Sequence, residues 1–261
     1  MTISISVASG KGGVGKTNCA VNLAISLSRL GKKTVLFDTD FGMANAHILL
    51  GTNPKHTAAD FLKGQASLDD ILCDAPMKVK FIAGGSGLLE LLNINNETRY
   101  KMLQSLSSLE GQIDYLIVDT PAGASDSTLF FTSATSVPLI VLVAEPTSFL
   151  DAYALIKAAH IEKGLKEFSV VVNMANSATS AKQNFSKFAE ICGRFLDVKL
   201  TYMGMVPQSS AIRKSIVKRK PIAASMPGST EAKAFMKLAE AIQTAPHNQL
   251  DGIRFFNEEQ R

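Results

Sequence analysis

The chain has no tryptophan, only three cysteines, few aromatic residues at 7%, and no long apolar run. Each shortage excludes something. Cys19, Cys73 and Cys192 are odd in number, far apart and outside any C-x-x-C or histidine-bearing cluster. That argues against a disulfide scaffold or a zinc site and predicts reduced, mostly buried thiols. Val137–Ala144, the longest strongly apolar run, is far short of the ~20 residues that cross a bilayer. Met1–Ala8 carries no basic-then-apolar leader pattern. A soluble, cytoplasmic protein is the expectation, with membrane contact confined to its periphery on the inner face. A net charge of +4 lacks the basic extreme of a dedicated nucleic-acid binder, so nucleic acid is disfavoured as a partner. Internal repeats and low-complexity segments are also missing.

What is present suits a globular α/β chain: 261 residues, 46% hydrophobic and 19% charged. The focal stretch is Gly10-Lys11-Gly12-Gly13-Val14-Gly15-Lys16-Thr17, between the apolar run Ile3–Ala8 and the helical pattern Asn18–Leu30. Strand, glycine-rich loop and helix is the context of a phosphate-binding loop. Glycines let backbone N–H groups close on phosphate oxygens, and the helix N-terminus adds partial positive charge. Lys16 then reaches a β/γ-phosphate and Thr17 a Mg²⁺ ion, so ATP or ADP with Mg²⁺ is the expected cofactor.

Strands are predicted at Lys33–Phe37, Val79–Ala83, Tyr115–Val118, Pro138–Ala144, Ser169–Asn173 and Lys199–Val206. Helical patterns fall at Thr57–Lys63, Gly87–Leu92, Glu97–Leu109, Ser148–Lys163, Ala181–Arg194, Ser210–Arg219 and Thr230–Thr244, with a short helix after the loop 41–47. The alternation predicts one α/β domain over 1–245, a mostly parallel twisted sheet with helices on both faces, followed by a tail at 246–261. Asp38, Asp40 and Asp119 fall at strand ends, where carboxylates face the ligand crevice of such a sheet. Asp119, closing Tyr115-Leu116-Ile117-Val118, suits a Mg²⁺ shell. Asn173, at the end of Val170-Val171-Val172, carries an amide suited to a donor–acceptor pattern and otherwise reads as a helix cap or turn residue.

The second lysine of the loop, Lys11, resembles the deviant Walker A loop of the MinD/ParA ATPases, a P-loop family. That resemblance implies a dimer with ATP between the subunits and Lys11 touching the partner's nucleotide. Asp38-Thr39-Asp40 resembles the family's switch I, which implies Asp38 in the Mg²⁺ shell with Thr17 and Asp119, and Asp40 positioning or deprotonating the attacking water. The alternative for Asp40 is a plain loop carboxylate. Asp119-Thr120-Pro121-Ala122-Gly123 resembles switch II, with the Gly123 N–H brought to the γ-phosphate. Asn18 joins the nucleotide set by the same resemblance, as do Asn173 on the adenine edge and Val206-Pro207 against the ring. Where family members often carry an aspartate two residues beyond that proline, Ser209 stands here.

Asp40-Phe41-Gly42-Met43-Ala44-Asn45, Leu49-Leu50-Gly51, Glu145-Pro146-Thr147-Ser148, Asp151-Ala152-Tyr153-Ala154-Leu155-Ile156-Lys157, Asn173-Met174-Ala175 and Phe195-Leu196-Asp197-Val198 resemble the FlhG/FleN branch. It implies control of flagellar number and placement, with a FleQ-like transcription activator or an FlhF-like GTPase as partner. Many FlhG proteins carry an N-terminal extension that stimulates FlhF, whereas this sequence starts at its first strand. Other readings are a ParA- or MinD-type positioning ATPase with a different cargo, or a nucleotide-dependent binding module with negligible turnover. No cysteine lies near Asp119–Gly123 to bridge a dimer through an iron–sulfur cluster. In the tail, Leu250, Ile253 and Phe256 share a helical face beside Phe255, either to meet lipid or to pack on the domain. The basic cluster Arg213-Lys214 and Lys218-Arg219-Lys220 reads as a solvated helix face or as a phosphate contact.

Overall fold

Strand β1 (Ile3–Ala8) is buried along nearly its whole length, as a strand covered on both faces must be. The computed structural model describes residues 2–41, 45–85, 96–245 and 255–256. The predicted helical pattern at 87–92 and the stripe residues Leu250 and Ile253 lie outside them.

Helix α1 (Lys16–Arg29) follows the glycine loop and leads to β2 (Thr34–Asp38). Three short helices come next: α2 (Ala46–Leu50), α3 (Ala58–Leu62) and α4 (Leu68–Ile71). Capping boxes start α3 at Thr57 with Asp60 and α4 at Ser67 with Asp70, which explains how helices this short hold their first turns. Strands β3 (Cys73–Asp74) and β4 (Lys80–Ile82) precede α5 (Asn96–Leu106), extended by a 3-10 turn at Ser107–Leu109. Strand β5 (Tyr115–Asp119), α6 (Asp126–Ser133), β6 (Val137–Val143), α7 (Pro146–Lys163), β7 (Glu167–Ala175) and α8 (Ala178–Phe195) alternate strictly. The chain continues through β8 (Lys199–Pro207), α9 (Ser210–Val217), α10 (Ile222–Ser225) and α11 (Thr230–Ile242).

The sheet has eight strands in the order β3-β4-β2-β5-β1-β6-β7-β8. All pairs are parallel except the edge pair β3–β4. The order reverses around β1: β2 lies on one side beyond β5, and β6 on the other. The C-terminal end of β1 is therefore a topological switch point, where open parallel sheets take their ligands.

Side chains alternate between the two faces, and each face has its own helices. Val137, Leu139 and Val141 of β6 pack with Ile5, Ile117 and the α1 residues Ala20, Leu23 and Leu27, which Phe235, Leu238 and Ile242 of α11 cover in turn. Ile140 and Leu142 point the other way, with Val170 and Val172, to Leu155, Ile156 and Phe188 of α7 and α8. A third cluster gathers Phe37, Leu116 and Val118 with Leu103, Leu106 and Phe131 of α5 and α6. Phe255, from the tail, is also in this cluster. Its ring stacks on Phe131 at 6.4 Å and its backbone N–H donates to the Ala134 carbonyl at 3.0 Å. At this residue the tail packs on the domain.

Phe131 is the hub of that aromatic group, meeting Phe37 edge-on at 6.2 Å and Phe41 at 6.4 Å. Phe131→Ala should cost ~3–5 kcal/mol, the range for emptying a buried aromatic site. Urea denaturation measures it; a loss below ~1 kcal/mol would show that the cluster collapses around the gap.

Candidate nucleotide site

The loop after β1 takes its course from close approaches that only glycine permits. A Cβ on Gly10 would strike the Asp151 carbonyl of α7, and one on Gly15 would strike the Asn173 amide. Gly15, at φ 84°, also forms the left-handed entry into α1. The helix starts at Lys16, two residues before the predicted start, so the phosphate-loop lysine and Thr17 sit in its first turn. Free N–H groups of that turn face the strand ends, the arrangement that receives anions.

Asp38 and Asp119 are register partners at the ends of β2 and β5, and both are buried. Lys16 Nζ donates to Asp119 Oδ1 at 2.6 Å, so the one ammonium beside the two neighbouring carboxylates pairs with Asp119. Asp38 has other partners. Its oxygens accept from the backbone N–H groups of Asp40, Asn45 and Ala46, each at 3.1 Å, which fastens the chain on both sides of residues 42–44. Burial pushes the Asp38 carboxyl up to about 7, and the charge of Asp119 adds to the rise, against the lowering by those N–H groups and Lys16. Two adjacent carboxylates with a deficit of positive charge fit a divalent cation, and Mg²⁺ takes one or two such ligands together with waters and phosphate. Thr17 supplies a hydroxyl in the same turn as Lys16. Cys19, just behind, has its thiol pushed up to about 12 by burial and then by Asp119, so it stays protonated and inert.

Asp40 is half-buried at the start of the loop after β2. Gly123, at φ 86°, currently donates its N–H to the Ser9 carbonyl at 2.9 Å. Thr39 fixes the neighbouring strand end, its N–H and hydroxyl both donating to the Asp119 carbonyl.

Lys11 lies apart from Lys16. Its Nζ reaches the first turn of α7, donating to Glu145 Oε2 at 3.2 Å and Thr147 Oγ1 at 2.9 Å. Nothing in the sequence ties Glu145 or Thr147 to Lys11. The contact spans 134 residues and leaves no local pattern to find.

Asn173, buried at the end of β7, donates from Nδ2 to the Val14 carbonyl at 2.7 Å. It lines a recess with Gly15, Asn18, Met174, Pro207 and Ser209, and Ile212, Arg213 and Ile216 of α9 close the wall. The structure therefore brings Asn173 and Asn18 to the phosphate loop, with Pro207 beside them in register with Ala175. Val206 is wholly buried beneath. Ser209 caps α9 by accepting from the Ala211 N–H and donates to Glu231, so it is engaged in helix structure rather than open to a base. The wall residues of α9 escape sequence reasoning because only the return of β8 beside β7 brings them there.

Comparison with known proteins accords with this geometry. The CobQ/CobB/MinD/ParA nucleotide binding domain family matches residues 5–222. The chain belongs to this family. Among its MinD/ParA relatives is the antiactivator FleN of Pseudomonas aeruginosa, 38% identical over 97% of this chain and 91% of that protein. The flagellum site-determining protein YlxH of Helicobacter pylori is 31% identical over 83% of this chain and 73% of its own length. The septum site-determining protein MinD of Pyrococcus horikoshii OT3, solved as a complex with Mg-ADP, superposes with a TM-score of 0.76 at 26% identity. That alignment covers 93% of this chain and 96% of that one.

The state of Asp38 gives a pH test. Its value is raised from an ordinary 3.8, so the native state holds a proton that the unfolded chain releases. Its contribution to the stability of the nucleotide-free protein is fully present below that ordinary value and is lost as pH rises through about 7. A bound cation needs the ionised form, so Mg²⁺ with nucleotide should displace a proton at about pH 6.5. Calorimetry in buffers of different ionisation enthalpy reads this directly. Identical heats in both buffers would remove Asp38 from the metal shell.

Proposed function

We propose that the chain is an ATP-dependent dimerising switch that hydrolyses ATP and regulates the number and placement of flagella, in part by antagonising an activator of flagellar transcription. The likeness to FleN, an antiactivator, and to YlxH, a flagellum site-determining protein, supports the cargo. The observation that carries the switch is Lys11. One lysine of the loop is committed to the Asp119 carboxylate within the site, while the other extends to α7 at the rim.

A rim lysine held by Glu145, with both side chains substantially exposed, is weakly bound: such pairs contribute about 0–1 kcal/mol. It is thus free to exchange Glu145 for a stronger anion. In the proposed dimer that anion is the partner's nucleotide. Lys16 holds the β- and γ-phosphates after leaving Asp119. Thr17, Asp38 and Asp119 would hold Mg²⁺, which would supply charge neutralisation to the phosphoryl transfer. Asp40 orients the attacking water and accepts its proton. The Gly123 N–H turns from the Ser9 carbonyl to the γ-phosphate, and Asn173 presents its amide to adenine.

Lys11→Ala should leave the nucleotide affinity of the monomer nearly unchanged but lose ATP-driven dimerisation and ~10³-fold or more of turnover, as loss of a charge supplied in trans does. Lys16→Ala should weaken binding itself. Light scattering with ATP, beside turnover measured over a range of protein concentrations, separates the two. A Lys11→Ala protein that dimerises and hydrolyses at the parent rate ends the proposal.

Asp40→Ala should do the reverse, trapping a dimer with ATP while hydrolysis falls by about 10² or more. If that variant stays monomeric with ATP, Asp40 serves in assembly and not in water activation.

A further inference from the structure

Helix α1 buries an amide in the middle of its apolar stretch. Asn22 is wholly buried, and so are the apolar residues before it, 19–21, and after it, 23–25. Burial of an amide there costs free energy unless its polar atoms find partners.

Both of them do. Asn22 Oδ1 accepts from the Ala223 N–H at 3.0 Å, while Nδ2 donates to the Asn18 carbonyl at 2.9 Å and to Asn18 Oδ1 at 3.0 Å. The first of these bonds is a cap. Helix α10 starts after Pro221, which offers no side-chain acceptor, so Asn22 supplies one from α1. Arg29 Nη1 donates to the carbonyl of the same Ala223 at 3.1 Å and ties it to α1 a second time. The cap also fixes which way round the amide sits. Turned over, it would set its NH2 against the Ala223 N–H and its oxygen against two oxygens of Asn18.

That orientation is passed on to the nucleotide site. Because Asn22 occupies Asn18 Oδ1, the NH2 of Asn18 is the half of that amide left to the recess that Asn18 lines. Among the described residues Asn18 Nδ2 has no acceptor. Capping α10 would need only an oxygen, which aspartate, serine or threonine also carries. An amide adds a donor, and both acceptors of that donor belong to Asn18.

We propose that Asn22 is a positioning residue of the nucleotide site, holding the Asn18 amide so that its Nδ2 donates to an oxygen of the nucleotide. The proposal rests on reading the recess as the nucleotide's. Asn18 follows Thr17 in the first turn of α1 and shares the recess wall with Asn173, so the oxygen it meets lies where the phosphates join the nucleoside.

The test is equilibrium titration of the full chain with a fluorescent ADP analogue, for the parent, Asn18→Ala, Asn22→Ala and the double variant. Asn18→Ala should weaken binding about tenfold, the effect of losing one hydrogen bond to a charged acceptor. Asn22→Ala leaves Asn18 Oδ1 unpaired whenever Nδ2 meets the ligand, and should also weaken binding about tenfold. In the double variant the two losses should not add, because Asn22 acts on the ligand only through Asn18. Stability should behave differently: the orphaned Ala223 N–H lowers the urea midpoint on Asn22→Ala in both Asn18 backgrounds. Should alanine prevent folding, Asn22→Thr, of nearly the same volume but without the amide, takes its place in the cycle. Parent affinity in the Asn22 variant overturns the inference. So does a loss that persists undiminished in the Asn18→Ala background, which would make Asn22 a residue of the fold alone. A parent chain that binds no ADP removes the nucleotide reading itself, and this inference with it.

Discussion

Two carboxylates and one ammonium are buried together where β2 and β5 end beside the phosphate loop. Like charges on neighbouring strands repel, and burial denies them water, so the site is electrostatically unfinished. The fold supports this arrangement with backbone donors: three N–H groups on Asp38, and the Thr39 N–H and hydroxyl on the Asp119 carbonyl. A divalent cation would bring the positive charge that such a site lacks.

Around that centre, four donors of the expected nucleotide set already have protein acceptors: Lys16 on Asp119, the Gly123 N–H on Ser9, Asn173 on Val14 and Lys11 on Glu145. Buried donors are almost always paired, so a ligand that engaged these four would exchange partners with them, beside the free N–H groups at the start of α1. The exchanges are unequal. Lys16 is paired with a buried carboxylate, whereas Lys11 is paired with an exposed one, and exposed pairs contribute little. The rim lysine is accordingly the one whose position is easily changed.

The sheet was legible because its strands are buried on both faces. A short continuous apolar run such as Val137–Val143, bounded by polar residues, suits a strand covered above and below, and the predicted limits fall within about two residues of those observed. Asp38, Asp119 and Asn173 could be placed because parallel strands deliver their C-terminal residues to one edge. Four elements escaped. Strand β3 has two residues, and α4 and α10 have four each, too short for any period to register. Helix α6 is not among the predicted helices, although Ser125 accepting from the Thr128 N–H marks its start. The partners of Lys11 were invisible for a different reason: contacts between distant segments leave no periodicity.

The aromatic cluster beneath the site adds a constraint that binary patterning does not reveal. Phe41 directly follows Asp40, and Phe131 lies on the helix that the Gly123 loop enters. Their rings meet at 6.4 Å, and Phe37 at the end of β2 touches both. The segments that begin at Asp40 and follow Gly123 thus share one packed group of rings. Close-packed interiors move between discrete arrangements and do not deform continuously, since voids and overlaps both cost free energy. The ring cluster thus links the two loop starts, and Phe255, stacked on Phe131, belongs to the same packing.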